Sequence, residues 1–272
     1  MSRSEILRSL FDTKGKGLEI GPSFNPLLRK AEGYDVEIVD HLSAEGLRQK
    51  YRNANVDLSL IEEVDYVSDG GLISELVGKP NVFDYCIALH VIEHTVDLVG
   101  FLLDCQSLLK QQGVLVLAVP DKRFSFDVLR PVCTTGDVVQ AHLEGRKGHS
   151  LGKMFDEFAY NTLRDGLPAW ERSHAGELKY FRSLEDARAI FSHAQRSHEF
   201  IDIHAWQFTP SSFRLLVHDL NAFGFIQLKE QAFMDVGAGE FYMTLSCRGA
   251  GCPEGRLELA KRAVREQAEI LA

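Results

Sequence analysis

Five short apolar runs occupy the first 120 residues, and each stops at a residue suited to a turn or to polar chemistry. GLEIG ends at Gly21, VEIVD at Asp40, DYVSD at Asp69, FDYCIALH at His90 and GVLVLAVP at Pro120. Runs of five to eight residues separated by amphipathic stretches read as strands buried on both faces. Segment 97–112 has Leu98, Phe101, Leu102, Cys105, Leu108 and Leu109 at helical spacing, with Asp97 to cap its start and Gly113 to stop it. Strands alternating with helices predict an α/β fold, a parallel sheet with helices on both faces.

The alternation breaks after Pro120. Residues 121–205 show no clean strand pattern and are rich in aromatics, Arg and His. Thr134 and Ser183 look like helix N-caps, the second with Asp186 three positions on as a capping box. The segment reads as a mostly helical insertion. Regular structure resumes with Thr209 as N-cap, Pro210 as first helical residue and Gly224 as stop. FIQLKEQAF (225–233) and EFYMTLSCR (240–248) predict an antiparallel hairpin. The expected organisation is a core of 1–120 and 206–250, a substrate-facing insertion or lid at 121–205, and a C-terminal helix within 251–272. That helix could form a homodimer contact, but its few apolar positions (Leu257, Leu259, Ala260, Ala263, Val264) favour a solvated amphipathic helix.

A net charge of −9 makes the chain a poor counterion for phosphate backbones, so nucleic acid is not the expected partner. Five scattered cysteines without a CxxC pair read as reduced thiols, Cys247 and Cys252 being the closest pair. The N-terminal segment lacks a signal-peptide pattern and no apolar run approaches bilayer length, so the expectation is a cytoplasmic protein without membrane insertion.

The turn LEIGPSFNP sits where nucleotides bind in parallel sheets, at the carboxyl end of a first strand with a helix expected next. It lacks the second and third glycines of a dinucleotide fingerprint, and Pro22 and Pro26 remove two amide donors. It therefore suits a nucleoside without phosphates. Asp40, 19 residues on, can accept ribose hydroxyls or be a plain strand-end residue. Glu19 is a charge inside an apolar strand, to be answered by a ligand ammonium or by backbone donors. In SDGG (68–71), Asp69 can meet an adenine amino group or close a tight turn. In HVIEHTVD, His90, Glu93 and His94 hint at a metal, but with no third ligand nearby in sequence the expectation is no metal.

Taken in order, LEIGPSFNP, EIVD, VSDG, FDYCIALHVIEHTVD and LLKQQGVLVLAVPD resemble the class I S-adenosylmethionine-dependent methyltransferases, in the subgroup with H-V-x-E-H after strand four. The resemblance covers residues 15–121, and the elements at 209–248 also fit. It implies a Rossmann-like seven-stranded, mostly parallel sheet with an antiparallel last strand, and S-adenosyl-L-methionine as cofactor. It implies that Glu19, Gly21 and Pro22 lie at the methionine end, Asp40 and His41 at the ribose, Asp69 and Gly70 at the adenine edge, and Leu89 and His90 where cofactor and acceptor meet. The G-P turn departs from the family's usual G-x-G.

Methyl transfer to a hydroxyl benefits from a base, and histidine is the natural group. Of the ten histidines, His90, His94, His142, His149, His174, His193, His198 and His204 lie where an acceptor would sit, and His94 and His149 are the base candidates. Arg130, Arg146 and Lys147 could meet an anionic group, and Tyr160, Trp170 and Trp206 could stack on a sugar, unless they form the insertion's own core. The expected acceptor is a small molecule or glycan, methylated at oxygen. Two other readings stand beside it. One is a nucleoside-binding regulatory module without turnover. The other is an NAD-dependent oxidoreductase or epimerase, disfavoured by the missing glycines and by the lack of a Tyr-x-x-x-Lys pair.

Overall fold

The computed structural model describes residues 1–170, 175–197 and 199–269. In chain order the elements are α1 (Arg3–Arg8), β1 (Gly17–Ile20), β2 (Val36–Asp40), α2 (Ala44–Tyr51), β3 (Tyr66–Val67), α3 (Ile73–Val77), β4 (Phe83–Leu89), α4 (Leu98–Leu108) and β5 (Leu109–Pro120). Then come α5 (Thr135–Leu143), α6 (Leu151–Tyr160), β6 (Thr162–Arg164), β7 (Leu178–Tyr180), α7 (Leu184–Ala194), α8 (Pro210–Ala222), β8 (Lys229–Asp235), β9 (Glu240–Ser246) and α9 (Arg256–Ala268).

Seven strands form one sheet in the order β3-β2-β1-β4-β5-β9-β8. β1 pairs in parallel with β2 and β4, β2 with β3, and β4 with β5. Between β5 and β8 lies β9, which pairs antiparallel with both. This is the seven-stranded sheet with an antiparallel last strand that the resemblance implies.

Alternate strand residues feed two cores, as the two-residue strand repeat requires. Cys86, Ala88, Leu115, Leu117 and Val119 face the larger one, with α4, α5 and α8 supplying Leu102, Val138, Phe213 and Leu216. Tyr85, Ile87, Val114, Val116 and Ala118 face the other, covered by Leu7 of α1 and by Leu27 and Leu28. Gly17 is fixed by this packing, because a Cβ there would lie 1.8 Å from the Tyr85 ring.

Several boundaries differ from expectation. No α-helix follows β1; the crossover to β2 holds only a 3-10 turn at Lys30–Glu32. α4 is capped by Asp97 as expected, its Oδ1 accepting from the Gly100 amide at 2.8 Å, but it ends at Leu108. Gly113 lies inside β5, which begins at Leu109 because that residue already pairs with Phe83 of β4. β3 is only two residues long, and β8 starts at Lys229. Gly224, at φ +78°, follows α8 as the expected stop.

The insertion is chiefly helical but also contains the antiparallel β6–β7 ribbon. Thr134 closes a reciprocal capping box with Asp137. At the second start, Ser183 caps the Asp186 amide, while its hydroxyl donates to the Asp186 carboxylate. Met154, Phe158, Ala187, Ala194 and Ile203 form a small core of their own. Beyond it the chain returns to the sheet, where the amide of Ala205 donates to the Glu93 carbonyl at 2.7 Å and Phe208 bridges to Asp121. All five cysteines are free thiols. Among the described residues no helix is long and apolar enough to cross a membrane.

Candidate functional site

The carboxyl ends of β1, β2, β3 and β4 share one edge of the sheet, and most of the expected cofactor residues stand there. The turn after β1 is held in an unusual conformation, with Gly21 at φ +64° and Ser23 at φ +55°. A Cβ on Gly21 would lie 3.5 Å from Val91, so this turn stands beside the segment that follows β4. The turn's amides are directed inward. Gly21 donates to the Val39 carbonyl, Ser23 to Asp40 Oδ2 and Asn25 to the Pro22 carbonyl. With Pro22 and Pro26 lacking an N–H and no helix N-terminus behind the turn, a diphosphate finds little to bind.

Glu19 is 1% exposed, and its carboxylate accepts from the amides of Leu27 (2.6 Å) and Leu28 (3.2 Å). Burial still dominates and pushes its pKa up to about 7, against the pull of those two amides. Of the two answers to this charge that the sequence leaves open, a ligand ammonium or backbone donors, the structure shows the backbone donors. Asp40, also buried, accepts from the amides of Ser23 (2.9 Å) and His41 (2.7 Å) and from His41 Nδ1 (2.6 Å). The exposed His41 ring therefore lies against the carboxylate, with Lys50 on its other nitrogen at 2.8 Å. Asp69 and Gly70 form an exposed turn in which Asp69 Oδ1 accepts from the Gly71 amide.

At the end of β4, Leu89 is half-buried and His90 adopts φ +54°. His90 Nε2 lies 2.7 Å from Glu240 Oε2. Burial raises the Glu240 pKa, but His90, Arg3 and Tyr242 outweigh it and hold the carboxyl at about 2. The 3-10 turn Ile92–His94 follows, and here the insertion meets the sheet.

Two of the expected acceptor contacts are corrected. Arg130 is 1% exposed and bonded to Asp127 (2.6 Å), Glu157 (2.6 Å) and the His204 carbonyl (2.7 Å), so it is a structural hub rather than a receptor for a substrate anion. Trp206 is 2% exposed, donates to the Thr95 carbonyl at 2.6 Å and belongs to the main core, so it offers no stacking face. Arg146 is bonded to Glu144 at 2.6 Å. Tyr160 is exposed at the end of α6, beside Phe155.

The histidines sort by partner. His142 is bound to Asp97 at 2.8 Å. His94 Nδ1 contacts Asp202 at 2.8 Å, and its ring meets the His204 ring edge-on with centroids 4.7 Å apart. His204 Nδ1 contacts Asp127 at 2.6 Å. His149 is buried with no partner on Nε2 among the described residues, and burial pulls its pKa down to about 4, with Asp202 opposing and His94 assisting. His174 and His198 lie outside the described residues. Sequence reasoning did not single out Asp127, Asp202 or Glu157; nothing local distinguishes them from surface acids.

The molecule's hollows elsewhere include one of about 490 Å³ by Asp84 and Lys110, at the amino ends of the strands, and one of about 280 Å³ by Arg214 and Cys252.

No protein-family model matches the sequence, and no curated protein matches it. Solved structures with some likeness include one from Rhodobacter sphaeroides, described provisionally as a Zn-dependent alcohol dehydrogenase, at 15% identity and TM-score 0.47 over 90% of this chain and 88% of that one. Another is the CcbJ methyltransferase from Streptomyces caelestis, at 10% identity and TM-score 0.45 over 89% and 93%. A third is a SAM-dependent methyltransferase from Methanosarcina mazei, at 13% identity and TM-score 0.44 over 88% and 95%. Likeness at this level transfers no chemistry to this chain.

Proposed function

We propose that this chain is an S-adenosylmethionine-dependent methyltransferase acting at an oxygen of a small-molecule or saccharide acceptor. The carrying observation is the turn after β1. It stands beside the buried Asp40 carboxylate and directs the amides of Gly21, Ser23, Asn25, Leu27 and Leu28 into the chain itself. Such a turn suits a nucleoside that carries no phosphates.

In this reading Asp40 takes the ribose hydroxyls once the His41 ring moves off it. Asp69 and Gly70 meet the adenine edge, and Gly21, Pro22, Leu89 and His90 flank the cofactor. Glu19 acts through Leu27 and Leu28, which it pins beneath the turn. The bound cofactor supplies an activated methyl group and its own leaving group. The chain must hold the acceptor in line, exclude water and take the hydroxyl proton. His149 is the proposed base, since among the described residues its Nε2 has no partner. Arg146 and Tyr160 are the proposed acceptor contacts on the insertion.

Calorimetry with S-adenosylmethionine, S-adenosylhomocysteine and NAD, on the native protein and on Asp40→Ala, tests the reading. Both sulfur ligands should bind, and Asp40→Ala should weaken them by about 100-fold, as expected for two lost hydrogen bonds to a charged group. Tight NAD binding without response to the sulfonium ligand overturns the assignment. A labelled-methyl screen over saccharides, phenols and amines then separates an enzyme from a module that binds without turnover.

A further inference from the structure

Polar groups that the methyl-transfer scheme does not use converge where the insertion returns to β4. Glu93 is 1% exposed, and among the described residues neither of its carboxylate oxygens has a hydrogen-bond partner. Leaving a carboxylate so buried and unanswered costs several kcal/mol unless a cation meets it. Its nearest neighbours are imidazoles, with His90 Nδ1 at 3.6 Å and His94 Nε2 at 3.9 Å. One donor atom each of Glu93, His94 and His204 lies within 4.8 Å of the other two.

The two rings of that trio are prepared in the same way. His94 directs Nδ1 at Asp202 and His204 directs Nδ1 at Asp127. An ionised carboxylate only accepts, so each Nδ1 carries a proton, which leaves Nε2 as the nitrogen each ring can offer an ion. Carboxylate–histidine pairs of this kind orient imidazoles for metal ions. Asp127 is itself fixed by Arg130, which also bonds the His204 carbonyl. The site thus has two imidazoles, one buried carboxylate and a second set of acids holding the rings.

The geometry points to a binding site for a divalent first-row transition metal at Glu93, His94 and His204. Two nitrogens and one oxygen suit zinc, iron or cobalt, whereas magnesium and calcium take all-oxygen sets. Three protein donors leave a tetrahedral ion one position for water or for an oxygen of a bound molecule. Drawing the donors to metal–ligand distances of about 2.1 Å takes side-chain shifts of roughly 1 Å. His94 is partly exposed and supplies the entry path. The sequence-based expectation of no metal rested on a missing third ligand, and the insertion provides one from 110 residues away. The site stands independently of the methyl-transfer reading.

The test uses the full chain, stripped with a chelator and titrated with Zn²⁺ by calorimetry, then loaded with Co²⁺ for its visible absorption. One ion should bind per chain, and Zn²⁺ should raise the melting temperature. Glu93→Gln and His204→Asn should each weaken binding at least about 100-fold, and Asp127→Asn about 10–100-fold. His218→Ala, outside the site, should bind as the native protein does. If a buried variant fails to fold, His94→Asn at the part-exposed ligand gives the same reading. The proposal is overturned if the native chain takes up no stoichiometric ion, or if the ligand variants that fold bind zinc as tightly as it does.

Discussion

Glu19 and Glu93 are both glutamates at the carboxyl edge of the sheet, each 1% exposed, and their surroundings differ completely. Glu19 is met by two backbone amides that the chain brings back to it eight and nine residues later. Among the described residues Glu93 has no hydrogen-bond donor, and the His90 and His94 imidazoles stand just beyond bonding distance. A buried charge therefore points to a ligand only after the backbone donors around it have been counted. By that count Glu19 belongs to the scaffold and Glu93 to a site.

The sharpest way to break this comparison is to remove both carboxylates in the metal-free protein and measure urea unfolding. Glu19→Leu leaves the Leu27 and Leu28 amides buried without acceptors, at about 1–3 kcal/mol each, and should lose roughly 2–6 kcal/mol. Glu93→Gln removes a charge that no donor stabilises and should stay within about 1 kcal/mol of the native protein. Equal losses in the two variants would erase the distinction.

A pH series sharpens the Glu19 side. Its pKa is raised by burial from 4.5 to about 7 in the folded chain, so the folded state holds the proton more tightly than the unfolded one. The stability this contributes is fully present below pH 4.5 and is lost as pH rises to about 7, amounting to about 3 kcal/mol. Glu19→Gln, which cannot titrate, should lack this part of the pH slope. Parallel native and variant curves between pH 4.5 and 7 would contradict the burial argument.

The smallest effect is expected at the turn between the two glutamates. Gly21→Ala keeps an ordinary 3.5 Å contact with Val91 but must hold φ +64°, at about 1 kcal/mol. A drop in melting temperature of a few degrees with cofactor binding retained fits this picture. A collapse of the fold would mean that the turn is packed more tightly than the contact distance implies.

Much of the fold was legible because it is local. Strand positions follow from apolar runs, the start of α4 from Asp97, and α8 from Thr209, Pro210 and Gly224. The unfitness of the first turn for a diphosphate was legible from Pro22 and Pro26, which remove donors in any conformation. The helix expected after β1 was wrong because that crossover is shaped by what it must deliver, the Leu27 and Leu28 amides beneath Glu19. Gly113 misled as a stop because pairing with β4 captures Leu109 before the helical pattern ends. Arg130 and Trp206 looked like substrate contacts because long polar and aromatic side chains are usually exposed in part. Here ion pairs and packing bury both.

By itself the sequence determined the alternation of elements, the order of the strand-end residues and the chemistry of the first turn, since each depends on neighbours within a few positions. Only the tertiary structure decided which buried carboxylate is answered by the chain and which is left to a cation. That depends on the return of the chain after Ile203, which seats Ala205 on the Glu93 carbonyl and brings His204 beside a carboxylate 111 residues earlier. Contacts of that range arise from packing two cores together, and no local pattern of residue types encodes them.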